Sequence, residues 1–219
     1  RNKSWCIGML KLIGHEFMVK TRYGNLEASD QTKQVPQPPL EALYDQVNVI
    51  DLPMSEEIPA ITIDFMAAIE LRTSVRDYQQ MPLSLLELSF LLWCTQGVKQ
   101  VLGDKATLRN VPSAGARHAF ETYLLINNVE GIKPGLYRFL ALEHKLMEVT
   151  LAENIAEEIT SACRGQKFVL NSAVTFIWVA DAARMTWRYG ERGYRYLHLD
   201  AGHICQNLYL AAHVIGCGA

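Results

Sequence analysis

The sequence predicts an α+β domain, on three observations. Segments of helical and strand period follow one another without strict alternation: two helices, three strands, a helix, a strand and a long final helix. One helix start is written out as a capping box, Ser84-Leu85-Leu86-Glu87. No GxGxxG opens a helix after a strand, which disfavours a doubly wound dinucleotide-binding sheet.

The elements follow in order. Residues 1–60 read as an N-terminal extension, with a short helical stretch near Met9–Lys20. The Pro36/Pro38/Pro39 cluster then suits an extended arm, because proline lacks the amide hydrogen a helix needs. Regular patterning starts at Thr62, where Phe65, Met66, Ile69 and Leu71 space out a short amphipathic helix. In the capping box the Ser84 hydroxyl takes the Glu87 amide and the Glu87 carboxylate returns to that of Ser84. Leu83 and Leu88 stand where a hydrophobic staple closes, and Gly97 ends that helix. A loop is expected over Val98–Arg117, then strands at Thr122–Ile126, Gly135–Leu140 and Lys145–Val149. A helix over Leu151–Cys163 precedes an apolar, buried strand, Val174–Ala180. The last helix runs from about Tyr194 to Ile215, with Leu197, Ala201, Ile204, Leu208, Ala211 and Ile215 along one stripe.

Composition narrows the function classes. Of 219 residues, 49% are hydrophobic and 20% charged, the mix of a globular chain. The net charge is −2 and no two Lys or Arg residues are adjacent, so no nucleic-acid footprint is expected. The apolar run Trp5–Leu10 is far short of the roughly 20 residues a membrane span needs. Five scattered cysteines without a CxxC support neither a disulfide framework nor a zinc site, which points to a reducing, cytoplasmic setting. Cys94 and Cys205 read as buried small hydrophobes. No metal site is expected from six dispersed histidines.

Three stretches could carry chemistry. In an extended chain Arg72, Ser74 and Arg76 project to one side, a donor set suited to a phosphate or a polarised carbonyl. Pro112-Ser113-Ala114-Gly115-Ala116-Arg117-His118 gathers small residues with proline and glycine, over which a backbone can approach a flat ligand. Trp187 to Tyr196 packs four aromatics and three further arginines ahead of a helix that contains Gly202. Each has a plainer reading: a solvated basic edge, a surface turn, and core aromatics beside surface arginines.

Taken in order, "RTSVRDY", "PLSLLELSFLLW", "PSAGARH", "GLYRF" and "RYGERGYRYLHLDAGHICQNLYLAA" resemble the nitroreductase-like, FMN-dependent oxidoreductases, nearest to the SagB-type dehydrogenase branch. The resemblance implies a mixed or antiparallel central sheet flanked by helices, over a domain spanning residues 61–219, in an intertwined homodimer with FMN at the interface. Arg72, Ser74 and Arg76 would hold the FMN phosphate, ribityl and pyrimidine edge. Pro112, Ser113, Ala114 and Gly115 would touch the flavin from the partner subunit. A hydride would pass through flavin N5 in a ping-pong cycle, with NAD(P)H as donor and a small molecule or peptide as substrate. Arg188 and Tyr189 fall where azoline-oxidising relatives carry a Lys-Tyr pair active in proton transfer. Arginine gives up a proton too reluctantly for that role, which leaves Tyr189 as the acid/base candidate. Family chains continue past the equivalent of Ala219, so the resemblance implies that the domain's C-terminal part is missing from this sequence. Two alternatives stand beside this reading: an azoline-type dehydrogenase acting on a modified peptide, and a non-catalytic flavin-binding or structural dimer.

Overall fold

The computed structural model describes residues 12–45, 48–54, 57 and 63–219. The Trp5–Leu10 run, Cys6, Thr62 and the first residues of the stretch expected from Met9 lie outside them. The fold is α+β, as expected. Five strands, all paired antiparallel, form the central sheet in the order β1-β6-β5-β4-β7. They are β1 (Val49–Asp51), β4 (Phe120–Ile126), β5 (Gly135–Leu140), β6 (Lys145–Thr150) and β7 (Val174–Ala180).

The capping box forms as written: the Glu87 amide donates to Ser84 Oγ at 3.2 Å and the Ser84 amide to Glu87 Oε2 at 2.8 Å. Helix α3 (Leu85–Gln96) follows, with Leu88 and Leu92 fully buried. Both the expected staple residues, Leu83 and Leu88, sit in the main core. That core joins α3 to Leu124, Ile126, Phe139 and Leu146 of the sheet and to Ala211 and Ala212 of α7 (Gly193–Val214). Each fully buried leucine contributes roughly 1.5–3 kcal/mol. Gly97 ends α3 for a steric reason: a Cβ there would lie 2.4 Å from the Trp93 ring. Of the expected α7 stripe, Leu197, Ile204 and Ala211 are buried and Ala201, Leu208 and Ile215 are partly so.

Several local expectations change. The segment expected as a loop holds a hairpin of β2 (Val98–Leu102) and β3 (Ala106–Arg109), turning at Gly103 with φ +58°. The following helix is shorter than expected, α4 (Ile155–Ala162), with a separate turn of helix α5 (Phe168–Asn171). Strand β7 lies at the sheet's edge and is half-buried, Val179 remaining 48% exposed. Cys94 and Cys205 are likewise half-buried. Helix α6 (Ala182–Tyr189), for which no element was assigned from sequence, is capped by Asp181 accepting the Ala183 amide at 3.1 Å.

Helix α1 (Ile13–Lys20) and the arm after it wrap the start of α7 and the edge of the sheet. Arg195 Nη2 donates to Thr21 Oγ1 at 2.7 Å, the Tyr23 and Tyr196 hydroxyls meet at 2.9 Å, and Trp187 Nε1 donates to Val35 O at 2.8 Å. Farther on, the Ala42 amide donates to Glu121 Oε1 at 2.9 Å and the Ala141 amide to Glu41 Oε1 at 2.6 Å. The proline cluster between is non-helical, as its composition dictates.

Candidate functional site

Helix α7 carries two groups of candidate residues on opposite sides. Asp200 and Tyr209 are nine residues apart, which on an α-helix is roughly 13.5 Å of rise and a half-turn of rotation. The small-residue loop packs at Asp200, and the Arg72–Arg76 segment packs at Tyr209.

The small-residue loop is held in an uncommon backbone. Gly115, Ala116 and His118 have φ of +58°, +53° and +41°. Such conformations cost on the order of 1–3 kcal/mol at a non-glycine residue and persist only where surroundings enforce them. Here the enforcement is visible. The Ala114 amide donates to Asp200 Oδ1 at 3.2 Å and the His118 amide to Ser113 Oγ at 2.9 Å. Arg117 Nε returns to Gly115 O at 3.0 Å, and its Nη2 reaches Lys105 O, at the hairpin turn, at 2.8 Å. Asp200 is 3% exposed, and its Oδ2 has no hydrogen-bond partner among the described residues. Burial raises its pKa against the opposing pull of the Ser113 hydroxyl and the Ala114 amide.

This loop meets the Arg188-Tyr189 pair. A Cβ on Gly115 would lie 2.6 Å from Tyr189 Oη and 2.8 Å from Arg188 Cδ and Nε. Tyr189 packs its ring on Tyr196 at 4.7 Å between centroids, and the Arg188 guanidinium lies 5.7 Å from the Tyr189 ring centre. Gly115 and Arg188 line a cleft of about 530 Å³ that opens beside Trp187, Arg117 and the hairpin turn. The arginines downstream serve another purpose. Arg192 and Arg195 both bond Thr21 and so hold the N-terminal arm.

The second group lies in the segment after Leu71, where burial does not follow the expected alternation: Arg72 is half-buried and Thr73 exposed. Val75 is half-buried against Gly218, whose Cβ would come within 2.7 Å of it, and the Val75 amide donates to Ala219 O at 3.0 Å. Ser74 and Arg76 are exposed. Arg72 lies 5.7 Å from the centre of the Tyr209 ring and Arg76 6.0 Å from that of Phe168. Neither arginine forms an ion pair among the described residues.

These features fit a flavin mononucleotide's needs by chemistry. Arg72, Ser74 and Arg76 offer donors for an oxyanion, and the absence of a side chain at Gly115 lets Tyr189 and Arg188 pack directly on the loop backbone. Lys105 lay outside the candidate stretches named from sequence, and Asp200 and Arg117, inside them, were given no role. The signal for Asp200 is an acid on the buried stripe of a helix, which needs a partner to be there. No cluster of three or more metal-ligating side chains occurs among the described residues.

A family profile described as the nitroreductase family matches residues 69–219. The chain belongs to the nitroreductase family. It is 37% identical over 147 residues, 67% of this chain and 72% of the relative, to a protein of Methanocaldococcus jannaschii that carries the nitroreductase name. It is 32% identical over 114 residues to the trifolitoxin-processing protein TfxB of Rhizobium leguminosarum bv. trifolii, covering 48% of this chain and 30% of that one. Two solved structures under the nitroreductase name also match. The Ralstonia eutropha one has a TM-score of 0.62 at 26% identity, over 84% of this chain and 82% of that one. The Anabaena variabilis one has a TM-score of 0.58 at 29% identity, over 69% and 30%. Family membership makes the chain an oxidoreductase by class. No helix among the described residues is long and apolar enough to cross a membrane.

Proposed function

We propose that this chain is an FMN-dependent oxidoreductase that acts as a homodimer. The observation that carries the reading is the direct packing of Arg188 and Tyr189 on Gly115, at the point where the Pro112–Gly115 loop runs into the positive-φ residues Ala116 and His118. A loop held in that backbone by Asp200, beside a tyrosine hydroxyl, is a surface shaped for a flat ligand. Arg72, Ser74 and Arg76 would hold the FMN phosphate, ribityl and pyrimidine edge, and Arg76 would stabilise negative charge on the reduced ring. Bound there, the flavin supplies two-electron chemistry at its N5 atom. Tyr189 is the acid/base candidate, its hydroxyl fixed between the Gly115 loop and the Tyr196 ring.

Two copies are needed for geometric reasons. The two groups lie on opposite faces of α7, with a helix roughly 10–12 Å across between them. A ligand touching both therefore takes one group from each subunit. The apolar face of α2 (Phe65–Leu71) supports an interface as well. Phe65 and Leu71 are 68% and 62% exposed, and on α7 Leu199 is 53% exposed. Apolar side chains gathered on short helices in this way mark surfaces that a partner covers.

The likeness to the trifolitoxin-processing protein favours the SagB-type branch and a peptide substrate. The test is an absorbance spectrum after FMN addition and desalting, then anaerobic titration with NADH and NADPH. Flavin bands that are retained and bleach are expected, with the better nicotinamide being the donor. Retained flavin that neither donor bleaches means a substrate-driven dehydrogenase. A protein that retains no flavin refutes the assignment.

A further inference from the structure

The cleft beside Gly115 is lined by three cations, Lys105, Arg117 and Arg188, and none is ion-paired among the described residues. Asp104 is the one acid on its wall. Surface cations usually move freely in water, but Arg117 does not. It is 8% exposed, two of its nitrogens are tied to the Gly115 and Lys105 carbonyls, and it lies 5.4 Å from the centre of the Trp187 ring. Its Nη1 has no hydrogen-bond partner among the described residues. Burial, and then the nearby charge of Arg188, lower the pKa of Arg117, so the two guanidiniums are close enough to repel.

A fixed guanidinium with an open nitrogen, facing a second unpaired one, is a receptor for an oxyanion. Guanidiniums match carboxylate and phosphate oxygens in geometry, and the rigidity of Arg117 lowers the ordering cost of gripping one. The volume, about 530 Å³, lies within the roughly 300–1,000 Å³ usual for small-molecule sites. The arm closes the wall opposite: Gln37 lines the cleft and donates through Nε2 to the Asp104 and Lys105 carbonyls at 3.0 and 3.1 Å.

We propose that this cleft holds a carboxylate or phosphate of the molecule that exchanges electrons at the site, gripped by Arg117 and Arg188 with Lys105 at the rim. The ligand's part in electron transfer rests on the oxidoreductase reading, whereas its charge rests on the cleft alone.

Calorimetric titration of the purified full chain tests it, with benzoate, inorganic pyrophosphate and neutral benzamide as probes. Benzoate or pyrophosphate is expected to bind and benzamide not. Arg188→Met should weaken the anion at least tenfold, and Lys105→Met less. Arg117→Lys keeps the charge without the fork, so it should also weaken binding while the protein stays folded. Benzoate binding points to a carboxylate substrate. Pyrophosphate binding alone points to a phosphate-bearing donor. Equal binding of benzamide and benzoate with pyrophosphate silent overturns the proposal, as does undiminished anion binding in both methionine variants. Anion binding by a protein that retains no flavin would refute the oxidoreductase reading alone. Normal flavin reduction without anion binding would refute this proposal alone.

Discussion

Replacing Gly115 by alanine isolates the contact between the small-residue loop and the Arg188-Tyr189 pair. Two separate costs arise. The first is backbone: at φ +58° an L-residue is disfavoured by on the order of 1 kcal/mol. The second is steric, since the new methyl would sit 2.6 Å from Tyr189 Oη and 2.8 Å from Arg188 Nε and Cδ. Those are the ends of flexible side chains, so they move aside and the fold survives, but the site's geometry does not. Gly103 separates the two costs, because it has the same φ of +58° and no atom within 4 Å of its would-be Cβ. Gly103→Ala should lower the melting temperature by about 2–4 °C, the usual yield of 1 kcal/mol at this size, and leave turnover alone. Gly115→Ala should lower it at least as much and reduce kcat/KM tenfold or more, since misplacing a reacting group by about 1 Å costs on the order of a hundredfold. The assays are thermal melts and steady-state flavin reduction of both variants beside the parent. Equal kcat/KM in the two glycine variants would refute the claim that Arg188 and Tyr189 are set by Gly115.

Two further predictions follow from the interior. His118 is 7% exposed, and burial, then the Arg109 charge, press its pKa down to about 3. Between that value and about 6.5 the unfolded chain binds a proton that the folded one refuses, so stability falls as pH drops through this window, by at most about 1.4 kcal/mol per unit. Chemical denaturation at pH 7.5 and pH 5.5 should show the loss, and His118→Gln should shrink it; an unchanged slope would contradict the burial argument. Glu121 takes Arg138 Nη2 at 2.9 Å and pairs with Arg184, all three side chains below 10% exposed. Glu121→Gln leaves the buried Arg138 without its ion-pair partner and Arg184 with Asp181 alone, and should cost about 3–5 kcal/mol by urea unfolding, against less than 1 kcal/mol for an exposed pair such as Lys20–Glu16.

Much of the fold was legible because its signals are local. The Ser84–Glu87 box, the Gly135–Leu140 strand and the α7 stripe depend on hydrogen bonds and periodicities within a few residues of one another. The β2–β3 hairpin was missed although Leu102-Gly103-Asp104 carries a turn signal, because β2 is largely exposed and β3 buries Thr107 and Arg109 while exposing Leu108, the reverse of an apolar-inward pattern. Strand β1, three residues long, falls below any periodicity window.

The site divides the same way. Residue chemistry nominated Arg72, Ser74, Arg76 and the Pro112–Gly115 loop, and the family resemblance the Arg188-Tyr189 pair, without any coordinates. Only the tertiary structure showed that the loop rests on Asp200 and faces Tyr189, that the arginine segment lies half a turn away around α7, and that Arg192 and Arg195 serve the N-terminal arm. Sequence states which groups a residue offers. Which partner each group meets depends on contacts between residues as far apart as Thr21 and Arg195, and those exist only once the core has closed and fixed every helix in place.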